Sequence, residues 1–217
     1  MIYLIKSRTL KSRVNNYLRL LENFRQEEVV PSHEFIYYLD NYSKLYQGED
    51  FSCYTIKHNF NSIGTLIYAR LKDMIVVDYL VIDKPYRKFF RQIANKILSF
   101  LRKYQLPIVI EAETEELCRV YGFFGFRKFK CDHRYYMLSI CLQDKTSVVS
   151  DYASNLLYFP TSSRQNYYSI CSSLYKNHYC RWYDIYPKCL TSKYKHQLTK
   201  RLEEIRSSSL TLYMRND

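Results

Sequence analysis

Residues 74–101 read MIVVDYLVIDKPYRKFFRQIANKILSFL, and the fold turns on them. The first ten form a nearly continuous apolar run, the mark of a strand covered on both faces. A basic turn follows that holds one proline and no glycine. IANKIL (93–98) then opens an amphipathic helix that runs to about Tyr104. Residues 106–113, LPIVIEAE, are a second buried strand, ending in carboxylates. Strand, helix and strand in succession imply parallel neighbours in one sheet.

Working outward, residues 2–5 suit a short strand. Leu10, Val14, Tyr17, Leu18, Leu21 and Phe24 then recur at three and four, which predicts a helix with one buried stripe to about Glu28. Ser32 is placed to cap a second helix through Leu45. FSCYTIKH (51–58) and IGTLIYARL (63–71) flank NFNS and read as a hairpin. Beyond residue 113 the pattern predicts a short helix from about Thr114 to Phe124. FRKFK (126–130) and RYYMLSICL (134–142) form a last strand pair. The fold class is α/β (α+β): a mixed sheet with helices on both sides.

The chain has 217 residues, 47% hydrophobic and 25% charged, the composition of a globular protein. Residues 1–141 are expected to form one domain. DKTSVVSD (144–151) is a polar connector, and residues 142–217 are a basic, Tyr-rich C-terminal extension with a clear helix only near 192–207. Residues 1–141 carry 22 basic and 15 acidic side chains, and the remainder 11 and 6, so both parts share in the net charge of +12. A field of that sign suits a polyanionic partner: a phosphate-bearing cofactor, nucleic acid or an acidic protein surface. Seven cysteines show no CxxC pair, and no run approaches a membrane span, so a cytosolic protein with reduced thiols is expected.

Two motifs carry a resemblance. CRVYGFFGF (118–126) is similar to the "lYeklGF" signature of the GCN5-related N-acetyltransferase (GNAT) superfamily, with Tyr121, Gly125 and Phe126 at the matching spacing. LVIDKPYRK…IANKIL resembles that family's strand, basic loop and helix, where the loop is written Q/R-x-x-G-x-G/A. The resemblance covers roughly residues 1–141. It implies splayed fourth and fifth strands and transfer of an acetyl group from acetyl-CoA (an acyl-CoA) to an amine. Backbone groups of Leu80, Val81 and Ile82 would pair with the cofactor. The loop and helix start at Arg87, Lys88, Arg91, Gln92, Ile93, Ala94 and Asn95 would receive its pyrophosphate, since helix N-termini favour anions. Tyr121 would be the general acid for the departing thiolate.

The loop departs from the family pattern. Gln92 stands at the first glycine and Phe89 at the leading Gln/Arg, while Ala94 fills the last position. Arg87, Lys88, Arg91 and Lys96 are placed to compensate through charge-assisted contacts with phosphates. Two other readings stay open: cations with Phe89 and Phe90 as a nucleic-acid surface, or solvated charges with both rings packed on a neighbouring helix. Asp78, Glu111 and Glu113 are candidate bases. In the extension, Cys171, His178, Cys180 and Cys189 fit no zinc spacing, so no metal is assigned. Aromatic rings stand beside cations at 177–188, which suits nucleic-acid or partner binding, or more simply packing on the main sheet with Trp182 as the anchor. The first functional expectation is an N-acetyltransferase whose amine acceptor and oligomeric state are left unassigned. The alternative is a catalytically inactive module that binds nucleic acid or a protein partner through its basic loop and extension.

Overall fold

The computed structural model describes residues 1–23, 51–112, 114–128, 156–161 and 173–174. Within them runs one seven-stranded mixed sheet: β1 (Ile2–Lys6), β2 (Phe51–His58), β3 (Asn61–Arg70), β4 (Ile75–Ile82), β5 (Ile108–Glu111), β6 (Arg127–Lys128) and β7 (Leu156–Phe159). Their spatial order is β1-β2-β3-β4-β5-β7-β6. Only β4 and β5 pair in parallel, joined by the crossover helix α2 (Phe90–Leu101); every other neighbour is antiparallel. The hairpin turn holds Asn59 at a φ of 54°, a left-handed position that asparagine tolerates.

Helix α1 (Leu10–Asn23) begins at a reciprocal cap. The Ser12 amide donates to Thr9 Oγ1 at 3.2 Å, and the Thr9 amide donates to Ser12 Oγ at 3.2 Å. Its buried face is Val14, Asn16, Tyr17 and Leu20. The asparagine breaks the predicted apolar stripe for a reason. Asn16 Nδ2 donates to Ser7 Oγ (2.8 Å) and Thr55 Oγ1 (3.0 Å), while its Oδ1 accepts from Thr65 Oγ1 (2.8 Å), tying α1 to β2 and β3. A buried amide satisfied in this way fixes one register of helix on sheet. Thr65 therefore faces α1. Its neighbour Leu66 joins Tyr68, Val77, Ile110, Ile93 and Ile97 in the core under α2, so helices cover both faces as expected.

The strand expected at 134–142 as the partner of 126–130 lies outside the described residues; among them, the strand beside both β5 and β6 is Leu156–Phe159. Hence the sheet reaches past residue 141 into the stretch read as an extension. Four apolar residues in Tyr- and Ser-rich surroundings carry too little periodicity to mark a strand by themselves. The expected second helix at 32–45, the helix near 192–207, the Cys/His cluster and Trp182 all lie outside the described residues. No helix among the described residues is long and apolar enough to cross a membrane.

Candidate functional site

β4 and β5 pair over only three positions, Ile75↔Ile108, Val76↔Val109 and Val77↔Ile110. β4 then continues for five residues to Ile82 against β3 alone. The parting has a local cause. Tyr68 lies opposite Val77 and Ile67 opposite Tyr79, which leaves Asp78 as the extra residue of a β-bulge. A bulge bends its strand and increases the twist, here at the last shared pair. Leu80, Val81 and Ile82 lie beyond it, on an edge with which no described strand pairs. The splay expected of the fourth and fifth strands is thus present. Gly64 is required beside it, because a Cβ there would stand 2.3 Å from the Val81 carbonyl oxygen.

Under these strands, on the face covered by α2, lies a small apolar cleft. Val77 and Leu80 of β4, Ile108 and Ile110 of β5, four side chains of α2, and Tyr121, Phe124 and Phe126 line it. Its free volume is about 20 Å³, room for roughly one water. Tyr121 contributes its ring to that lining, whose surface is wholly apolar.

Helix α3 (Glu115–Phe123) places this tyrosine. Thr114 caps the helix by accepting from the Leu117 amide at 3.2 Å, and Glu115 and Glu116 in the first turn complement the dipole. At the other end, the Gly125 amide donates to the Gly122 carbonyl (3.0 Å) and the Phe126 amide to the Tyr121 carbonyl (3.2 Å). These are the two bonds of a Schellman cap, with Gly125 at a φ of 94°. The rings of Tyr121 and Phe126, 5.7 Å apart, supply the hydrophobic contact that accompanies such a cap. The spacing Tyr-x3-Gly-Phe therefore has a backbone origin: it ends the helix and aims Tyr121 at the cleft.

The glycine-free turn is helical. Lys84–Phe89 form a 3-10 helix with Pro85 in its first turn, and it runs directly into α2. The Tyr86 amide donates to the Asp83 carbonyl, and the Phe90 amide to the Arg87 carbonyl. Thus the amide at the first residue of α2 is already engaged. Ile93 and Ala94 are buried in the core, while Gln92 and Asn95 are exposed. Lys84, Arg87, Lys88, Arg91 and Lys96 are all exposed, and no acidic residue occurs between Asp83 and Glu111. Arg87 also donates through Nε to the Ile82 carbonyl at 3.2 Å, closing the end of β4.

Both phenylalanines are half-buried and packed on other rings, so neither is a free stacking ring. Phe89 stacks on His58 with centroids 4.9 Å apart and Lys88 Nζ over its face. Phe90 lies edge-on to Tyr121 (6.3 Å) and Phe124 (5.8 Å) of α3. Of the candidate bases, Asp78 occupies the bulge and Glu111 ends β5; both are half-buried at the level where pairing stops. Ile110 faces the cleft, so Glu111, next along the strand, faces the other side of the sheet. Glu113 lies outside the described residues.

Sequence reasoning missed the anchor of this region. Asp83, at the end of β4, pairs with Arg19 Nε at 3.4 Å and accepts from Asn23 Nδ2 at 3.1 Å. Arg19 and Asn23 are four apart on α1, a same-face spacing that was the available signal.

No family model and no curated protein matches the chain. Solved structures do. A protein from Bacteroides thetaiotaomicron assigned to the GNAT acetyltransferase family superposes with a TM-score of 0.56 at 17% identity, over 80% of this chain and 95% of that one. The ribosomal-protein-S18-alanine N-acetyltransferase of Escherichia coli reaches 0.48 at 13% identity, over 76% and 97%. A Bacillus subtilis acetyltransferase in complex with CoA reaches 0.48 at 14% identity, over 73% and 98%. The first of these, together with the bulged, parting β4 and the order of the seven strands, gives the result: the chain has the fold of the GNAT-family acetyltransferases.

Proposed function

We propose that the protein is an acyl-CoA-dependent N-acetyltransferase acting on an amine. The observation that carries this reading is the end of β4–β5 pairing at Val77, with the Tyr121 ring set against the same face of these strands. The chain offers groups that fit acetyl-CoA: an extended edge at Leu80–Ile82 for amide-rich pantetheine, and exposed cations for phosphates. Acetyl-CoA, when bound, supplies the activated acyl group. Arg87, Lys88 and Arg91 would hold its phosphates through their side chains, because the Phe90 amide is engaged by Arg87. Tyr121 would hold a proton at its hydroxyl for the leaving thiolate. Asp78, at the bulge where pairing stops, would accept the proton of the amine, directly or through water.

Calorimetry tests the reading. Heat of binding to acetyl-CoA, reduced by charge reversal at Arg87, Lys88 and Arg91, is the expected result. Absence of heat at millimolar ligand with folded protein overturns it. One observation favours a second reading, a non-catalytic module for nucleic acid: residues 84–110 carry seven cations and no acid. That reading predicts nucleic-acid affinity falling steeply with salt; salt-insensitive or absent binding would remove it.

A further inference from the structure

We propose that the tip of the β2–β3 hairpin, with Phe60 at its head, is a docking surface for single-stranded nucleic acid. The ring stacks on a base while the cations around it hold the phosphates. The inference deepens the nucleic-acid reading above and rests on it; it does not depend on acyl-CoA. Phe60 is 93% exposed, the free ring that Phe89 and Phe90 are not. Such a ring is a platform for any base, because every base offers a π-face.

The turn that carries the ring is held from several sides. The Asn59 amide donates to the Met1 carbonyl at 2.9 Å, and the Asn59 carbonyl accepts from the Tyr3 hydroxyl. Lys57 Nζ donates to the Phe60 carbonyl at 3.2 Å, and Asn61 Nδ2 to the Tyr86 hydroxyl at 3.3 Å. Tyr86 belongs to the 3-10 helix Lys84–Phe89, whose Phe89 stacks on His58 of the hairpin with Lys88 Nζ over its ring. Two distant segments are thereby joined, and neither brings an acid. Residues 51–72 hold Lys57, Arg70 and Lys72, and residues 84–110 hold seven cations, with no carboxylate side chain in either. Asp83, just before the turn, is committed to Arg19 and Asn23. Lys84, Arg87 and Lys88 are exposed, so charge complementarity selects a polyanion. A turn already fixed loses little freedom on binding. A lipid surface would call for an apolar face, whereas the neighbours of the ring along the chain are Lys57, His58, Asn59 and Asn61.

The test uses the full chain and a fluorescent oligoadenylate of about 12 nucleotides, either single-stranded or annealed to its complement. The wild type should bind the single strand more tightly than the duplex, whose bases are already stacked. Phe60→Ala should weaken single-strand binding about tenfold or more, and Phe60→Tyr should keep it within about twofold. Lys57→Gln should make its salt dependence shallower. If the wild type binds the strand and Phe60→Ala binds it equally well, the surface is overturned and the nucleic-acid reading stands. Equal affinity of the wild type for strand and duplex likewise overturns the stacking surface. If the wild type binds neither probe at low salt, the nucleic-acid reading falls and the surface with it. Binding to phosphatidylserine vesicles, or self-association, that Phe60→Ala abolishes while strand binding persists would overturn the proposal in favour of a lipid surface or a second copy. Should Phe60→Ala fail to fold, Phe60→Leu, which keeps an apolar side chain without a π-face, decides by the same readouts.

Discussion

The amide of Phe126 donates to the carbonyl of Tyr121 at 3.2 Å, and the two rings stand 5.7 Å apart. One backbone bond thereby joins the end of α3, the start of the strand segment that follows and the orientation of the proposed general acid. The motif works as a unit because the glycine between them takes a φ of 94° that other residues resist.

Gly125→Ala should therefore destabilise the protein by about 1–3 kcal/mol through backbone strain. The new Cβ would also stand 3.1 Å from the Phe159 ring of β7. Chemical denaturation measures the loss; an unchanged midpoint would show that the cap does not hold the helix end. Gly122→Ala is the control, since a Cβ there meets nothing within 4 Å.

Tyr121→Phe keeps the ring and its contacts with Phe90 and Phe126. Turnover should fall about 100-fold or more, as for loss of a general acid. The dissociation constant for acetyl-CoA should stay within about twofold. Retained turnover would take Tyr121 out of the chemistry.

Asp83→Ala removes the partner of Arg19 and Asn23 at the end of β4. The pair is mostly shielded, with side chains 18% and 26% exposed, so a loss of about 1–2 kcal/mol is expected. Acetyl-CoA affinity should fall as well, since Leu80–Ile82 lose their anchor to α1. Equal stability of wild type and variant in urea would show that β4 is held without the clamp.

Cys53 provides a pH signature. Burial pushes its thiol up to about 12 from the ordinary 9.0, against the lesser opposing effect of hydrogen bonds from Ser7 and Asn16. Below pH 9 both folded and unfolded chains keep this proton. Between pH 9 and about 12 the unfolded chain releases it and the folded one does not, so stability falls as pH rises. Burial raises Cys118 as well, with Glu115 adding to it. Denaturation midpoints at pH 8, 9.5 and 10.5 should decline, and less steeply in Cys53→Ala. Identical slopes would remove Cys53 as a source.

Much of this was legible in the chain because it is encoded locally. The apolar run at 75–82, the helix at 90–101, and the Thr114 and Gly125 ends of α3 depend on residues a few positions apart. Caps, periodicity and the one backbone angle open to glycine decide them before any tertiary contact forms. The candidate site was legible to the same extent: Tyr121 was found by its distance from Gly125-Phe126, which is the length of a helix cap.

Tertiary structure decided the rest. LLYF at 156–159 gains its place from the edges of β5 and β6, and strand pairing across 29 to 51 residues of sequence leaves no local mark. The bulge at Asp78 exists only in the register of β4 against β3, which no local pattern in the strand announces. In the glycine-free turn, Pro85 and good helix neighbours favour a 3-10 segment, and that segment uses the Phe90 amide. The direction of the two rings was settled by their neighbours: Phe89 stacks on His58 of β2, and Phe90 packs on Tyr121 and Phe124 of α3. Sequence set the elements and the chemistry they carry; packing between distant elements determined where the rings lie, because a buried ring pair is more favourable than a hydrated one.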